Sequence, residues 1–249
     1  MFKNKAVIVT GASSGIGAVI AELFAKEGAN VAIVGRREDK LFEVKVKCQK
    51  YGGQALVIKA DVSKDEEAST IVKRAIETFG KLDVLVNNAG VAKEAKVDDI
   101  NALEVFDEVI NTNLRSVILL TSLAIPYLKE TKGSVVNVSS IAGIAVPSAW
   151  PGLTMYAVSK AGMDQYTRGA ALELSRFGVR VNSVNPGPVI TEMLGDARLA
   201  MIGELQKLTP LGRFSEADEI GDMVLYLASD KARGMTGSSI VVDNGTLLK

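Results

Sequence analysis

Short apolar runs alternate with segments of helical spacing along the whole chain. The runs are rich in Val, Ile and Leu, and they lie at 6–9, 31–34, 55–59, 84–86, 134–138, 179–184 and 239–242. Stretches that favour helices separate them, at 15–26, 38–50, 65–79, 102–128, 154–176 and 216–229. Unbroken apolar runs separated by helices are typical of a parallel sheet covered by helices on both faces.

The chain shows no linker, internal repeat or low-complexity segment. Its 249 residues, 47% of them hydrophobic, are enough to enclose one large core. We therefore predict a single α/β domain over residues 1–249. The segment 189–212 mixes apolar and polar residues with a short helical pattern, and we expect it to act as a mobile flap over a site.

Composition excludes several classes of function. The formal net charge is zero and no basic run stands out, so we expect no nucleic-acid partner. The absence of histidine argues against a metal site with nitrogen or sulfur ligands, and it excludes histidine as a general base. The one cysteine, Cys48, fits a reducing, cytoplasmic location. We see no room for a leader before the first strand and no apolar run long enough to span a bilayer, so we expect no membrane partner.

A glycine-rich turn follows the first apolar run. Gly11 permits a sharp turn out of the strand, Gly15 permits close approach of a pyrophosphate, and Gly17 permits close packing of the helix on the strand. No Lys-Ser or Lys-Thr follows the glycines, which argues against a Walker phosphate loop. An ordinary strand-to-helix turn is the alternative interpretation. The order strand, turn, helix, strand favours a dinucleotide site.

The end of the second predicted strand bears on the choice of dinucleotide. A protein that prefers NAD usually has an acidic residue there to bind the ribose hydroxyls, whereas this chain has Gly35 followed by Arg36 and Arg37. An arginine at this place pairs well with a 2′-phosphate. We therefore predict NADP(H) as the preferred cofactor, with NAD(H) possible and Arg36 the better candidate. The alternative is that both arginines are solvated residues at a helix start.

Two further stretches are unusual for their positions. Asn87, Asn88, Ala89 and Gly90 are small residues at the end of the fourth strand, which suits a flat ligand close to the backbone but also an ordinary turn. The helix predicted at 102–128 carries asparagines at 111 and 113. Because asparagine is a poor helix former, we expect a local break or a polar task there.

Tyr156 and Lys160 lie four residues apart in the helix predicted at 154–176, and so share one face. None of the other four tyrosines has a lysine at this spacing. A nearby ammonium lowers the pKa of a phenol, and the pair would then serve as a general acid and base. Ser140, at the end of the fifth strand, is placed to donate a hydrogen bond to a substrate oxygen. A surface Tyr-Lys pair is the alternative interpretation.

Taken together, these motifs identify a resemblance to the short-chain dehydrogenase/reductase family. They occur in that family's order and approximate spacing, down to Val242-Asp243 near the end of the chain. The motifs are Thr10-Gly11-x3-Gly15-x-Gly17, Asn87-Asn88-Ala89-Gly90, Asn113, Ser140, Tyr156-x3-Lys160 and Pro186-Gly187.

The resemblance implies a fold and a set of roles. It implies a doubly wound Rossmann-like sheet of seven parallel strands in the order 3-2-1-4-5-6-7. It implies that Tyr156 is the acid/base, that Lys160 lowers its pKa and binds the nicotinamide ribose, and that Ser140 holds the substrate oxygen. Asn113 would bend its helix and hold a water that relays protons. Pairing of the helices at about 102–128 and 154–176 would make a homodimer, commonly doubled into a homotetramer.

The resemblance also implies a cofactor site, in which Asp61 would contact the adenine, Asn88 would brace the sheet and Thr191 would bind the carboxamide. The full set is Gly11, Ser13, Ser14, Gly15, Ile16, Gly17, Arg36, Asp61, Val62, Asn88, Ala89, Gly90, Tyr156, Lys160, Pro186, Gly187, Val189 and Thr191.

The sequence departs from the family pattern at three places. The interval from Ser140 to Tyr156 is about three residues longer than is common, which reshapes one wall of the pocket. Ser139 neighbours Ser140, and we choose Ser140 because it aligns with the second serine of the family's pair. The usual Asp-Gly-Gly near the end is Asp243-Asn244-Gly245 here. Asparagine tolerates a left-handed backbone, so we expect little effect.

These observations predict an NADP(H)-dependent oxidoreductase that interconverts a secondary alcohol and its ketone or aldehyde. A dinucleotide-binding sensor without turnover and an NAD-linked alcohol dehydrogenase are the alternatives. The expected pocket is apolar and uncharged, which favours a small hydrophobic carbonyl or alcohol as substrate. Its candidate residues are Val91, Ala92, Ile141, Trp150, Leu153, Pro188, Met193 and Leu194.

Overall fold

The computed structural model describes residues 1–146, 151–194, 202–207 and 209–248. Its strands form one sheet of seven strands in the order β3-β2-β1-β4-β5-β6-β7, and all neighbouring pairs are parallel. The strands are β1 (Ala6–Thr10), β2 (Asn30–Gly35), β3 (Ala55–Lys59), β4 (Val84–Asn87), β5 (Ser134–Val138), β6 (Arg180–Pro186) and β7 (Ser239–Val242). The predicted fold class and strand order are confirmed.

Helices cover both faces of the sheet. They are α1 (Gly15–Lys26), α2 (Glu38–Gln49), α3 (Asp65–Phe79), α4 (Ala102–Ile110), α5 (Ser116–Thr131), α6 (Thr154–Leu174), the short α7 (Ile202–Gln206) and α8 (Ala217–Ala228). One buried apolar cluster joins α1, α2 and α8 to the sheet, and a second joins α3, α5 and α6 to its other face. The inner strands β2, β1, β4, β5 and β6 are buried on both sides, which explains why their sequences are largely apolar runs.

The long helix predicted at 102–128 is interrupted. Asn111–Arg115 forms a π-helical turn between α4 and α5, and the helical stretch runs on to Thr131. A π turn accommodates one extra residue within an α-helix and is often found at functional sites. The break lies where the two asparagines predicted it, and Asn113 is fully buried there.

By length and composition, the continuous helical stretch Ala102–Thr131 could cross a membrane, which our expectation from the sequence had missed. Leu120, Ala124 and Leu128 of this stretch are buried in the cluster on the sheet. Such burial accounts for the apolar character of α5 as that of a core helix.

The end of the sheet near β6 differs from the prediction. The sequence predicted a sixth strand over 179–184, but β6 runs from Arg180 through Pro186, which pairs with Val242 of β7. A proline has no N–H, but the ladder to β7 takes its bonds here from the N–H groups of Ser183 (to Ser238 O) and Gly187 (to Val242 O), both 2.9 Å. The predicted flap at 189–212 lies partly outside the described residues. Its beginning is joined to the body by a bridge between Val189 and Ser215.

Asp83 is a buried carboxylate that joins β1 to the start of β4. It accepts hydrogen bonds from Lys5 Nζ (2.8 Å) and Ala6 N (2.9 Å), and Lys81 Nζ lies 3.1 Å away. Burial acts to raise the pKa of Asp83, but these donors outweigh it and hold the pKa below its usual value.

We expect Asp83→Asn to lower the free energy of unfolding by about 1–3 kcal/mol at pH 7, because the amide loses charge-assisted bonds. A carboxyl with a depressed folded pKa stabilises the protein above the unfolded pKa of about 3.9, and the stabilisation is lost as pH falls through the folded pKa. The difference between variant and wild type should therefore shrink near pH 3. Urea unfolding at both pH values measures it, and Asp107→Asn, at an exposed position of α4, is the control. Equal unfolding midpoints at pH 7 would contradict the prediction.

Candidate active site

The carboxyl ends of β1 and β4 are locked together by Thr10 and Asn88. The Thr10 hydroxyl accepts hydrogen bonds from Asn88 N (3.0 Å) and Ala89 N (3.1 Å). In return, Asn88 Nδ2 donates to Thr10 O (2.9 Å) and to Gly11 O (3.3 Å). Asn88 therefore braces the glycine-rich turn against the end of β4.

The glycines of the turn leave no room for side chains. A Cβ built on Gly11, whose φ is +65°, would come 2.7 Å from the Cα of Ala89, and one on Gly17 would collide with Asn88 Nδ2 and Gly11 O. Gly15, with a φ of +54°, faces Thr191 across the turn. The side chain of Ser14, at the start of α1, makes no capping hydrogen bond within the described part of the chain, and the first N–H groups of a helix have no partner inside the helix itself. This cradle has the shape and the polarity that a pyrophosphate needs.

The two arginines after β2 have different surroundings. The Arg36 side chain is 67% exposed and its Nη1 lies 3.9 Å from Asp61 Oδ2. Arg37 is engaged: its guanidinium donates to Ser14 Oγ (2.5 Å) and forms an ion pair with Glu192 (2.9 Å). Arg36 is thus the more available of the two for an added phosphate group.

Asp61 and Val62 follow β3 at the same edge of the sheet. Asp61 Oδ1 accepts hydrogen bonds from Ser63 N (3.0 Å) and Ser63 Oγ (2.7 Å). Burial acts to raise the pKa of Asp61, but these bonds and the charge of Arg36 hold it below the usual value. Val62 is buried. The carboxylate therefore stays ionised beside the arginine.

Tyr156 and Ser140 meet at the carboxyl edge of the sheet. The Ser140 hydroxyl lies close enough to the Tyr156 phenol to lower its pKa, and Ser140 Oγ accepts a hydrogen bond from Ala142 N (3.1 Å). Ser139, by contrast, is buried and donates to Lys160 O (3.2 Å), so it is turned away from Tyr156. The structure thus places Ser140, and not Ser139, beside the phenol.

We expected Lys160 to lower the pKa of Tyr156, and the structure differs. Burial raises the pKa of Tyr156 above its usual value, and the nearby hydroxyl of Ser140 offsets part of the increase. Lys160 Nζ lies 5.6 Å from the centroid of the Tyr156 ring and donates to Val138 O at 2.8 Å. The physical reason is that desolvation of the phenol outweighs an ammonium bound to a carbonyl oxygen.

Lys160 is itself 3% exposed. Burial lowers the pKa of Lys160 to about 8, and the charge of Asp164 opposes this shift. A Cβ built on Gly90 would lie 3.7 Å from Lys160 Nζ and 3.3 Å from Asn113 Oδ1. Gly90 therefore brings the backbone after β4 close to both side chains.

The side chain of Asn113, in the π turn, is hydrogen-bonded to the segment after β4 and to α6. Its Oδ1 accepts from Val91 N (2.8 Å), and its Nδ2 donates to Val91 O (2.9 Å) and Ser159 Oγ (3.1 Å). The side chain fixes the segment after β4 against α6. Binding of a relay water by this residue remains a prediction.

The remaining predicted residues lie around this edge. Gly187 packs on Asp243, Val189 is buried, and Thr191 faces the glycine-rich turn. Of the predicted pocket residues, Ile141, Leu153 and Leu194 are buried, while Met193 is exposed. Trp150 lies outside the described residues.

Sequence reasoning missed two side chains close to the site. Asp164 is 4% exposed, and Asn185 at the end of β6 donates to it from Nδ2 (2.7 Å). Asp164 stands four residues after Lys160, so the helical spacing that paired Tyr156 with Lys160 also pointed to it. The contact with Asn185 was not readable from the sequence, because it joins residues 21 positions apart.

Comparison with known proteins supports the interpretation of this edge as an enzyme site. Residues 11–246 match a family model described as enoyl-(acyl carrier protein) reductase. The chain is 39% identical to an uncharacterized oxidoreductase of Thermotoga maritima, with 98% of each chain covered. It is 37% identical to the 3-oxoacyl-[acyl-carrier-protein] reductase FabG of Staphylococcus epidermidis, over 97% of this chain and 98% of that one.

Among solved structures, a short-chain dehydrogenase from Burkholderia cenocepacia in complex with NADP superimposes with a TM-score of 0.91. It is 32% identical to this chain, and the match covers 99% of both. The sequence motifs, the strand order and these relatives agree over nearly the whole length. The chain belongs to the short-chain dehydrogenase/reductase family.

Proposed function

We propose that the protein is an NADP(H)-dependent reductase of hydrophobic ketones or aldehydes, working reversibly on the corresponding secondary alcohols. The observation that carries the proposal is the proximity of the Ser140 hydroxyl to the Tyr156 phenol at the carboxyl edge of the sheet, with Lys160 on the same helix as Tyr156. Two hydroxyls that meet at one point suit a single oxygen, as in a carbonyl group. The 3-oxoacyl thioester named for the Staphylococcus epidermidis relative is one member of this class.

The side chains divide the chemistry among them. NADP(H), when bound, supplies the hydride. Ser140 donates a hydrogen bond to the carbonyl oxygen and orients it. Tyr156, which its raised pKa keeps protonated at neutral pH, gives its proton to that oxygen. The ammonium of Lys160, 5.6 Å from the centroid of the Tyr156 ring, then offsets part of the cost of burying the phenolate that remains.

We expect Tyr156→Phe to reduce kcat at least about 100-fold, because the proton donor is removed. Binding of NADPH should stay near wild type. The measurements are absorbance at 340 nm against a panel of apolar ketones, aldehydes and 3-oxoacyl thioesters, and the fluorescence of bound NADPH. Tyr166→Phe, on the same helix, is the matched control. Retained turnover in Tyr156→Phe would refute the mechanism, and binding without turnover in the wild type would favour a sensor.

The preference for NADP(H) rests on the end of β2. Gly35 places no carboxylate at the end of β2, and a Cβ built on it would be in van der Waals contact with Ser13, 3.4 Å away. The exposed guanidinium of Arg36 stands next to this point. An arginine there attracts a 2′-phosphate, and Arg37, held by Ser14 and Glu192, is less free to do so.

We expect Arg36→Asp to shift the ratio of kcat/KM for NADPH to that for NADH by about 10–100-fold toward NADH, the size of a lost charge-assisted hydrogen bond. Arg37→Gln is the comparison and should change the ratio less. Steady-state kinetics with both cofactors measure the ratio. An unchanged ratio in Arg36→Asp, or a larger shift in Arg37→Gln, would overturn the assignment to Arg36.

We propose that the chain assembles as a dimer or tetramer through α4, α5 and α6, within a cytoplasmic, reducing setting that suits its buried cysteine, Cys48. Exposed apolar side chains on these helices support the proposal: Leu103, Ile118, Val158 and Leu172.

We expect light scattering to give two or four times the chain mass of 26.4 kDa. Leu172→Glu should weaken the assembly, because Leu172 is 80% exposed in the single chain. Val46→Glu, at a 59% exposed position of α2, is the control. A monomeric wild type would contradict the proposal.

A further inference from the structure

Asp164 is a buried carboxylate with no part in the proton transfer described above. It is 4% exposed and lies one helical turn beyond Lys160 on α6. Buried carboxylates are rare unless they are paired or hydrogen-bonded, because desolvation is costly. The partners of Asp164 therefore indicate what it does.

Its strongest described partner connects it to Ser140. Asn185 Nδ2 lies 2.7 Å from Asp164 Oδ2 and 3.1 Å from Ser140 O. Ser183 Oγ lies 3.1 Å from the other carboxylate oxygen. The carboxylate thus fixes Asn185, and Asn185 holds the backbone of the serine that faces Tyr156.

Asp164 is also closely packed against the turn that follows Ser140. A Cβ built on Gly143 would come 2.9 Å from Asp164 Oδ2 and 2.8 Å from the carbonyl carbon of Lys160. The turn after Ser140 therefore packs directly on α6 at the level of Lys160 and Asp164. A methyl group at position 143 would push the two apart.

Asp164 is also the carboxylate whose charge acts on Lys160. Around the ammonium stand Val138 O, which accepts its hydrogen bond, the Tyr156 ring and, across Gly90, the amide oxygen of Asn113. These neighbours are uncharged at neutral pH. Ser183 and Asn185, which face Asp164 from β6, are uncharged as well.

We propose that Asp164 is a positioning residue with two tasks: it holds Ser140 through Asn185, and it is the counter-charge that keeps the ammonium of Lys160 protonated in its buried position. The role rests on the proposed function, since it acts through two of the residues assigned there. It touches neither substrate nor cofactor.

The first test removes the charge and keeps the shape. In Asp164→Asn, the pKa of Lys160 should fall from about 8 by roughly 1–2 units, the effect expected for the loss of one nearby opposite charge. The pKa is read from the Cε signal of 13C-lysine-labelled protein without cofactor, assigned by its absence in Lys160→Met. The alkaline fall of kcat/KM for NADPH should move by the same amount, because this profile reports groups of the free enzyme.

Asp83→Asn is the matched control, because it also neutralises a buried carboxylate, at the opposite end of β4 from the site. It should leave the Lys160 signal and the profile in place. If the pKa of Lys160 is the same in Asp164→Asn as in the wild type, the proposed role of Asp164 as the counter-charge of Lys160 is wrong. This readout needs no turnover, so it is distinct from failure of the proposed function, which Tyr156→Phe tests.

A second variant keeps the carboxylate and breaks its connection to Ser140. Asn185→Ser should lower kcat about 10-fold with little change in KM for NADPH, and the alkaline fall should stay near pH 8. Asn182→Ser is the control: Asn182 is equally buried in β6, but its Nδ2 donates to Met235 O. Wild-type kcat in Asn185→Ser, or an equal loss in Asn182→Ser, would overturn the positioning of Ser140. This test also stands if Asp164→Asn does not fold.

Discussion

The site depends on the direct backbone contact between the glycine-rich turn and the carboxyl end of β4. There is no space for a methyl group at Gly11 or Gly17, so the turn packs directly on Ala89 and on the side chain of Asn88. Thr10 and Asn88 satisfy the polar groups that this contact buries. The contact aims the start of α1 at the same edge of the sheet at which β5 presents Ser140, and a cofactor and a substrate can therefore meet there.

Most of the fold was predictable because the inner strands are buried on both faces and the helices on one. Burial of this kind produces a local pattern of apolar residues that can be recognised in the sequence. The bounds of α1, α3 and β5 agree with the prediction to the residue. The exceptions are places where the local structure depends on a residue that is distant in the sequence. β6 continues through Pro186 because β7 offers Val242 beside it. The π turn was predicted as a break, but its type depends on how Asn113 is held by Val91 and Ser159.

The candidate site was predictable in its members and less so in its electrostatics. Spacing along α6 is enough to put Tyr156 and Lys160 on one face, but it does not tell which oxygen the ammonium binds. In the structure the ammonium of Lys160 donates to Val138 O. Burial of the phenol then raises the pKa of Tyr156. In the same way, sequence put two arginines after β2 without telling that Arg37 is held by Glu192, 155 residues later. The charged side chains of the site are paired with residues of other helices and strands, and such pairings cannot be predicted from a local sequence pattern.

The buried position of Lys160 has a consequence for the whole site. An ammonium in solution, with a pKa near 10.4, is charged at any physiological pH. Desolvation brings the pKa of Lys160 to about 8, so its charge now depends on neighbours that act over a few ångströms. A carbonyl oxygen alone stabilises a buried ammonium incompletely, whereas a carboxylate one helical turn away does so with a full charge. The same carboxylate is fixed by Asn185, which also holds Ser140. The charge of the lysine and the place of the serine therefore both depend on Asp164.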